Sequence, residues 1–145
     1  MSKAYHIKCL LWELDPDGYH LVIKGKIENH PVYLLIDTGA NHSCFDQTFI
    51  TEIQQDGKII GKDEKNIGIG GDRFETVIVE LNGLKIGRLS IPNYTVRLLD
   101  LHQVSDMYEQ IGFKRIQGII GGDFLKSHHA IIDYHNLILT LSINE

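Results

Sequence analysis

Apolar and polar residues alternate with a period of two along much of the chain, which is the signature of half-buried strands. Residues 5–12 are mostly apolar, with Lys8 the main exception, and run into the turn cluster Asp15-Pro16-Asp17-Gly18. Residues 19–27 alternate cleanly: Leu21, Ile23, Gly25 and Ile27 fall on one face, His20, Val22, Lys24 and Lys26 on the other. After the short turn Glu28-Asn29-His30, residues 31–36 are β-branched and aromatic enough for a buried strand. These runs predict a meander whose last strand carries Asp37 into the interior.

Further along, residues 46–53 suit one or two helical turns, with Asp46 or Thr48 as cap and Phe49, Ile50 and Ile53 on one face. Residues 59–69 and 74–81 flank the tip Gly68-Ile69-Gly70-Gly71-Asp72, a hairpin pattern with a mobile end. Asn82-Gly83 marks a turn before strand-like runs at 84–89 and 94–99, and residues 104–110 suit a short helix. The apolar segment 118–121 leads into 123–127, and 130–133 is expected to pair with 137–141 around Tyr134-His135-Asn136. Leu35-Ile36-Asp37-Thr38-Gly39 and Gly118-Ile119-Ile120-Gly121-Gly122 echo each other, each an apolar run ending in a glycine turn, as a two-fold pseudo-repeat would. The expectation is one mainly β domain, 1–145, with one or two short helices.

Composition narrows the function classes. A chain of 145 residues can bury a core without disulfides or metal. A formal charge of -5 argues against a nucleic-acid binder, which needs a basic face. No stretch approaches the ~20 apolar residues of a bilayer span, so no membrane partner is expected. Residues 1–8 contain no apolar signal-peptide core, and Cys9 and Cys44 form no disulfide framework. Reduced core thiols and a cytoplasmic location are the expectation. No cofactor is expected, and the 8 histidines show no zinc spacing; the adjacent His128 and His129 cannot share a strand face.

The chemistry concentrates in Leu34-Leu35-Ile36-Asp37-Thr38-Gly39-Ala40-Asn41-His42-Ser43. An aspartate at the end of an apolar strand is an expensive place for a charge, so it must be paired, shared or functional. Gly39 lets the backbone turn tightly behind the carboxylate, and the Thr38 hydroxyl can lock the loop. A plain turn is the competing reading of these residues taken alone.

Three segments, in order and spacing, resemble the retropepsin-like aspartic proteases, the clan of retroviral and DNA-damage-inducible type proteases. They are Ile36-Asp37-Thr38-Gly39-Ala40 with Ser43 downstream, Ile67-Gly68-Ile69-Gly70-Gly71, and Gly118-Ile119-Ile120-Gly121-Gly122-Asp123-Phe124-Leu125. The resemblance spans roughly residues 19–142. It implies a single-lobe acid protease barrel, with Asp37 as the catalytic carboxylate and Thr38 and Gly39 as its support. It implies a flap at Gly68, Ile69, Gly70 and Gly71, and an extended peptide lying along Ala40, Asn41, Ile119 and Ile120. One Asp-Thr-Gly supplies half of the required carboxylate pair, so the resemblance implies a homodimer with a two-fold axis between two copies of Asp37.

Two positions depart from the viral pattern. Where an arginine and an aspartate pair in those enzymes, this chain has Gly122 and Asn41. The dimer contact is then expected from terminal strands such as residues 137–143. Asp123 is expected at a helix N-terminus, and not as a second catalytic acid. Two functions from different classes follow: a dimeric aspartic endopeptidase, or a catalytically silent peptide-binding or dimerisation module on the same scaffold.

Overall fold

The strand order follows from which faces are apolar. The computed structural model describes residues 2–14, 16, 18–54, 58–66 and 73–144, with 58–66 and 73–75 described by backbone alone. β1 (Ser2–Leu14) changes partner halfway: residues 2–8 pair with β12 (Ile138–Asn144), residues 9–14 with β2 (Gly18–Ile27). Tyr5, Ile7, Cys9 and Leu11 face the main core, whereas Leu10, Trp12 and Leu14 face a second cluster. Both faces are therefore covered, which explains why this run reads as almost continuously apolar.

β2 runs antiparallel to β3 (His30–Ile36), with Glu28 and Asn29 turning between them at φ of 48° and 69°. Leu21, Ile23 and Ile27 join Val32 and Leu34 in the main core, following the alternation. Val22 on the opposite face is nevertheless fully buried. The cause is α2 (His102–Gln110), which lays Tyr108 against that face. Trp12 sits edge-on to Tyr108 at 5.2 Å and stacks on Phe113 at 4.9 Å.

From β3 the pairing continues through β10 (Gly118–Ile120), β4 (Cys44–Asp46), β9 (Tyr94–Leu99), β6 (Arg73–Leu81) and β5 (Lys58–Asn66). At the other end β11 (Ile131–Asp133) flanks β12, and the hairpin β7 (Leu84–Ile86) and β8 (Leu89–Ile91) hangs on β2. β3 and β10 are parallel, with Leu35 opposite Ile119 and Ile36 opposite Ile120, so the two echoing segments lie side by side. Gly118 permits this closeness, since a Cβ there would lie 2.9 Å from both Leu34 Cδ2 and Phe45 Cδ1. α1 (Gln47–Ile53) is capped as expected, Asp46 Oδ2 accepting the Phe49 N–H at 3.2 Å. α3 (Gly122–Ser127) follows β10 directly.

The chain is mainly β, as expected, but several expectations are corrected. The pairing path runs from β11 to β5 without closing, so among the described residues the sheet is not a closed barrel. Among the described residues there are three helices instead of one or two, because 122–127 completes a helical turn. Residues 84–89 divide at Gly87, whose φ of 58° turns the chain between β7 and β8. β4 spans three residues, too few to show a period. β12 pairs with β1 along its whole length, but with β11 only over Ile138, Leu139 and Thr140. The tip Gly68, Ile69, Gly70 and Gly71 lies outside the described residues; β5 and β6 on either side of it are antiparallel. No helix among the described residues is long and apolar enough to cross a membrane.

Leu34 and Phe45 are both fully buried and cannot yield to a new side chain at Gly118. Gly118→Val should overpack the core and destabilise by ~1–3 kcal/mol, read as a lower urea midpoint with an unchanged slope.

Candidate active site

β3 delivers Asp37, and the hydrogen-bond ladder continues one step beyond it. The Asp37 N–H donates to the Ile120 carbonyl at 2.9 Å, which ties the end of β3 to the end of β10. The chain then turns sharply: the Ala40 N–H donates to the Asp37 carbonyl at 3.1 Å, and the Gly39 N–H to Asp37 Oδ1 at 3.0 Å. The carboxylate is thus oriented by its own turn. Asp37 is half-buried, and Thr38 and Gly39 are exposed beside it.

A second strand end passes beneath this loop. The Gly122 N–H donates to the Ala40 carbonyl at 2.7 Å, and the Asp123 N–H to the Asn41 carbonyl at 3.3 Å. A Cβ on Gly121 would stand 2.6 Å from the Ala40 oxygen and 3.1 Å from the His42 carbonyl, so only glycine lets the two segments cross at this distance.

Ser43, 2 % exposed, pins the crossing. Its Oγ accepts the Gly121 N–H at 2.8 Å and donates to Asp123 Oδ1 at 2.7 Å. Its N–H reaches both Asp123 oxygens, at 2.9 and 3.0 Å, and the Phe124 N–H adds a bond of 2.7 Å to Oδ1. Burial pushes the Asp123 carboxyl up, but the Ser43 and Phe124 donors and the nearby His42 outweigh it and hold Asp123 below the ordinary carboxylate range. Asp123 lies in the first turn of α3, as expected, with its carboxylate committed to Ser43. Burial pushes Tyr94 up to about 12, a rise that its Ser43 hydrogen bond moderates and Asp123 reinforces. Burial likewise pushes the Cys44 thiol up to about 11, with Asp123 and Asp37 adding to the rise, so it stays a protonated, unreactive thiol.

A pocket of about 360 Å³ opens beside Asp37, between the ends of β2 and β3 and the start of the β11–β12 turn. Leu21, Leu35, Ile36 and Ile132 make its walls apolar, and Tyr19, His20, Thr38 and Tyr134 supply polar groups. Asp37 is the sole carboxylate among the described residues lining it. A hollow of equal volume lies around Lys26, Glu28 and Lys85. Its carboxylate, Glu28, is exposed on the β2–β3 turn between two lysines, so volume alone does not locate the chemistry.

The residues expected to serve the site are only partly gathered. Asp37, Thr38, Gly39, Ala40 and Asn41 form one loop, and Ile119 is half-buried behind Leu35. The Ile120 side chain is fully buried in the main core and faces no groove in this protomer; it contributes its carbonyl. Tyr19, His20 and Tyr134 were not anticipated. Carrying the hairpin pairing back from the Glu28-Asn29 turn would have exposed His20, since the register that sets Val22 opposite Leu35 leads towards Asp37. Among the described residues no group of three or more His, Cys, Asp or Glu could hold a metal ion.

Ser43→Ala should leave the buried Gly121 N–H without an acceptor and cost ~1–3 kcal/mol. The Asp123 share of that cost has a defined pH sign. A carboxyl held below its ordinary value adds stability above that value, and the gain is lost as pH falls through the lowered one. The difference in urea midpoint between wild type and Ser43→Ala should therefore be largest near neutrality and shrink below the ordinary aspartate value of 3.8.

Comparison with known proteins agrees with this geometry. The model of the aspartyl protease family matches residues 23–124. Among solved structures, the retroviral protease-like domain of Ddi1 from Leishmania major is 18% identical, with a TM-score of 0.56 over 84% of this chain and 87% of that one. A retropepsin-like aspartic protease from Rickettsia conorii is 17% identical, with a TM-score of 0.52 over 98% of this chain and 92% of that one. No match was found among curated proteins. At these identities the structural neighbours establish a retropepsin-like fold. With the family model spanning more than half of its length, the chain belongs to the aspartyl protease family.

Proposed function

We propose that this chain is an aspartic endopeptidase that acts as a homodimer on extended peptide segments. The observation that carries the proposal is a lone strand-end carboxylate. Asp37 is oriented by the Gly39 N–H and lines a pocket that, among the described residues, offers it no second acid, while Asp123 at the crossing behind it is engaged by Ser43. Two carboxylates a few ångströms apart share one proton, because both cannot ionise. A second copy of the chain on a two-fold axis supplies the missing one.

In this mechanism one Asp37 carboxylate is the general base that takes a proton from a bound water. The protonated Asp37 of the other copy polarises the scissile carbonyl and then protonates the leaving amine. The pair titrates in two macroscopic steps that belong to neither residue singly. Thr38, exposed beside Asp37, steadies the loop towards the partner. The peptide lies along Ala40, Asn41 and Ile119 as an added strand, and Gly68, Ile69, Gly70 and Gly71 close over it.

In this reading the dimer contact is made by the end of the sheet nearest Asp37, β11 and the terminal strand β12, which β11 covers only over Ile138–Thr140. Ile131 and Tyr134 there are 63% and 60% exposed, an unusual cost for large side chains unless something covers them.

Incubation with an unbiased peptide library across roughly pH 4 to 7.5 tests the proposal. Wild type should cleave with a bell-shaped pH dependence, and Asp37→Asn should reduce cleavage to background. A folded, dimeric wild type that cuts nothing would favour the silent peptide-binding module. Ile131→Asp should separately weaken association, seen by sedimentation as a monomer that persists at protein concentrations where the wild type is dimeric.

A further inference from the structure

β2 and β3 place one polar side chain beside Asp37 that the proposed chemistry does not use. His20 and Asp37 each lie two residues beyond Val22 and Leu35, the last opposed pair of β2 and β3. His20 is half-buried and lines the same pocket as Asp37 and Thr38.

Its imidazole is held from behind. His20 Nδ1 lies 2.5 Å from the Tyr108 hydroxyl, and the two rings meet edge-on at 5.5 Å. Tyr108 is 1% exposed and wedged against Trp12. Burial, reinforced by the charge on Asp37, keeps its phenol protonated. A buried O–H needs an acceptor, and His20 Nδ1 is the one within reach. We assign Nδ1 as the acceptor of that O–H, which leaves Nε2–H as a donor. Nε2 lies on the side of Gly18, 3.8 Å from where a Cβ there would stand, and the His20 ring lines the pocket.

We infer that His20 is a specificity-determining residue of this site and selects substrates carrying a side-chain carboxamide, glutamine or asparagine, beside the scissile bond. The inference rests on the endopeptidase reading for what the pocket receives. Leu21, Leu35 and Ile36 take the aliphatic stem, and the Nε2–H of His20 donates to the amide oxygen. A purely apolar side chain would bury that donor without a partner. A carboxylate would sit beside Asp37 and meet like charge. Tyr108 is a positioning residue, acting through His20.

The test uses two peptides that differ only in glutamine or leucine at the residue preceding the scissile bond, placed in the best sequence from the library. Wild type should favour glutamine by roughly tenfold or more in kcat/KM, the discrimination expected when a buried donor is left unpaired. His20→Leu should abolish or invert that ratio. Tyr108→Phe, which preserves ring packing, should reduce it in the same direction. A ratio within one variant cancels losses from partial misfolding. The same peptides, fluorescently labelled, are titrated into Asp37→Asn with and without His20→Leu. Cleavage with an unchanged ratio in His20→Leu overturns the inference and leaves the protease intact. No cleavage, but glutamine-selective binding that His20→Leu removes, overturns the protease and keeps the inference. Neither cleavage nor selective binding overturns both.

Discussion

The architecture depends on a backbone crossing that has no room for a side chain. The loop after β3 and the strand end after β10 approach until the Gly122 N–H and the Ala40 carbonyl are 2.7 Å apart, over a glycine whose Cβ would collide with that oxygen. Hydrogen bonds from backbone to backbone align Asp37, and the buried Ser43 hydroxyl ties Gly121 to Asp123 behind it. Nothing in this arrangement is long or flexible, so the carboxylate is placed by the fold before any ligand arrives. The Asp123 carboxylate is spent on holding the crossing. One carboxylate is left to face the pocket, and that division of labour underlies the case for a second copy.

Much of this was legible in the sequence, because the informative patterns are short in range. The alternation of Leu21, Ile23 and Ile27 marks a half-buried strand, and Asp46 ahead of Phe49 and Ile50 marks a capped helix; both are found. The echo between residues 35–39 and 118–122 becomes physical contact in the parallel pairing of β3 with β10. What stayed hidden depends on contacts distant in sequence. Val22 sits on the polar-looking face of β2, yet α2, some 80 residues on, buries it with Tyr108. The crossover of β1 from β12 to β2 leaves no mark on its composition. The open path from β11 to β5 is a property of pairing order, which periodicity does not encode.

The candidate site divides in the same way. Asp37, Thr38 and Gly39 are contiguous and were read directly. The apolar motif suggests a groove position for Ile120, whereas the alternation along β10 turns its side chain into the main core and sets Ile119 against the second cluster. His20 and Tyr134 reach the pocket only through the β2–β3 register and the β11–β12 turn. Specific pockets are assembled from such distant pieces, and for that reason a motif can suggest the reaction while leaving the substrate unread.

The central claim is that two Asp37 carboxylates make one site. Mixing wild type with Asp37→Asn in varying proportions, with subunit exchange before assay and total protein held constant, tests it most directly. If both carboxylates are required, activity should fall as the square of the wild-type fraction, because mixed dimers are dead. A linear fall would mean that each chain works alone, and the dyad account would be wrong.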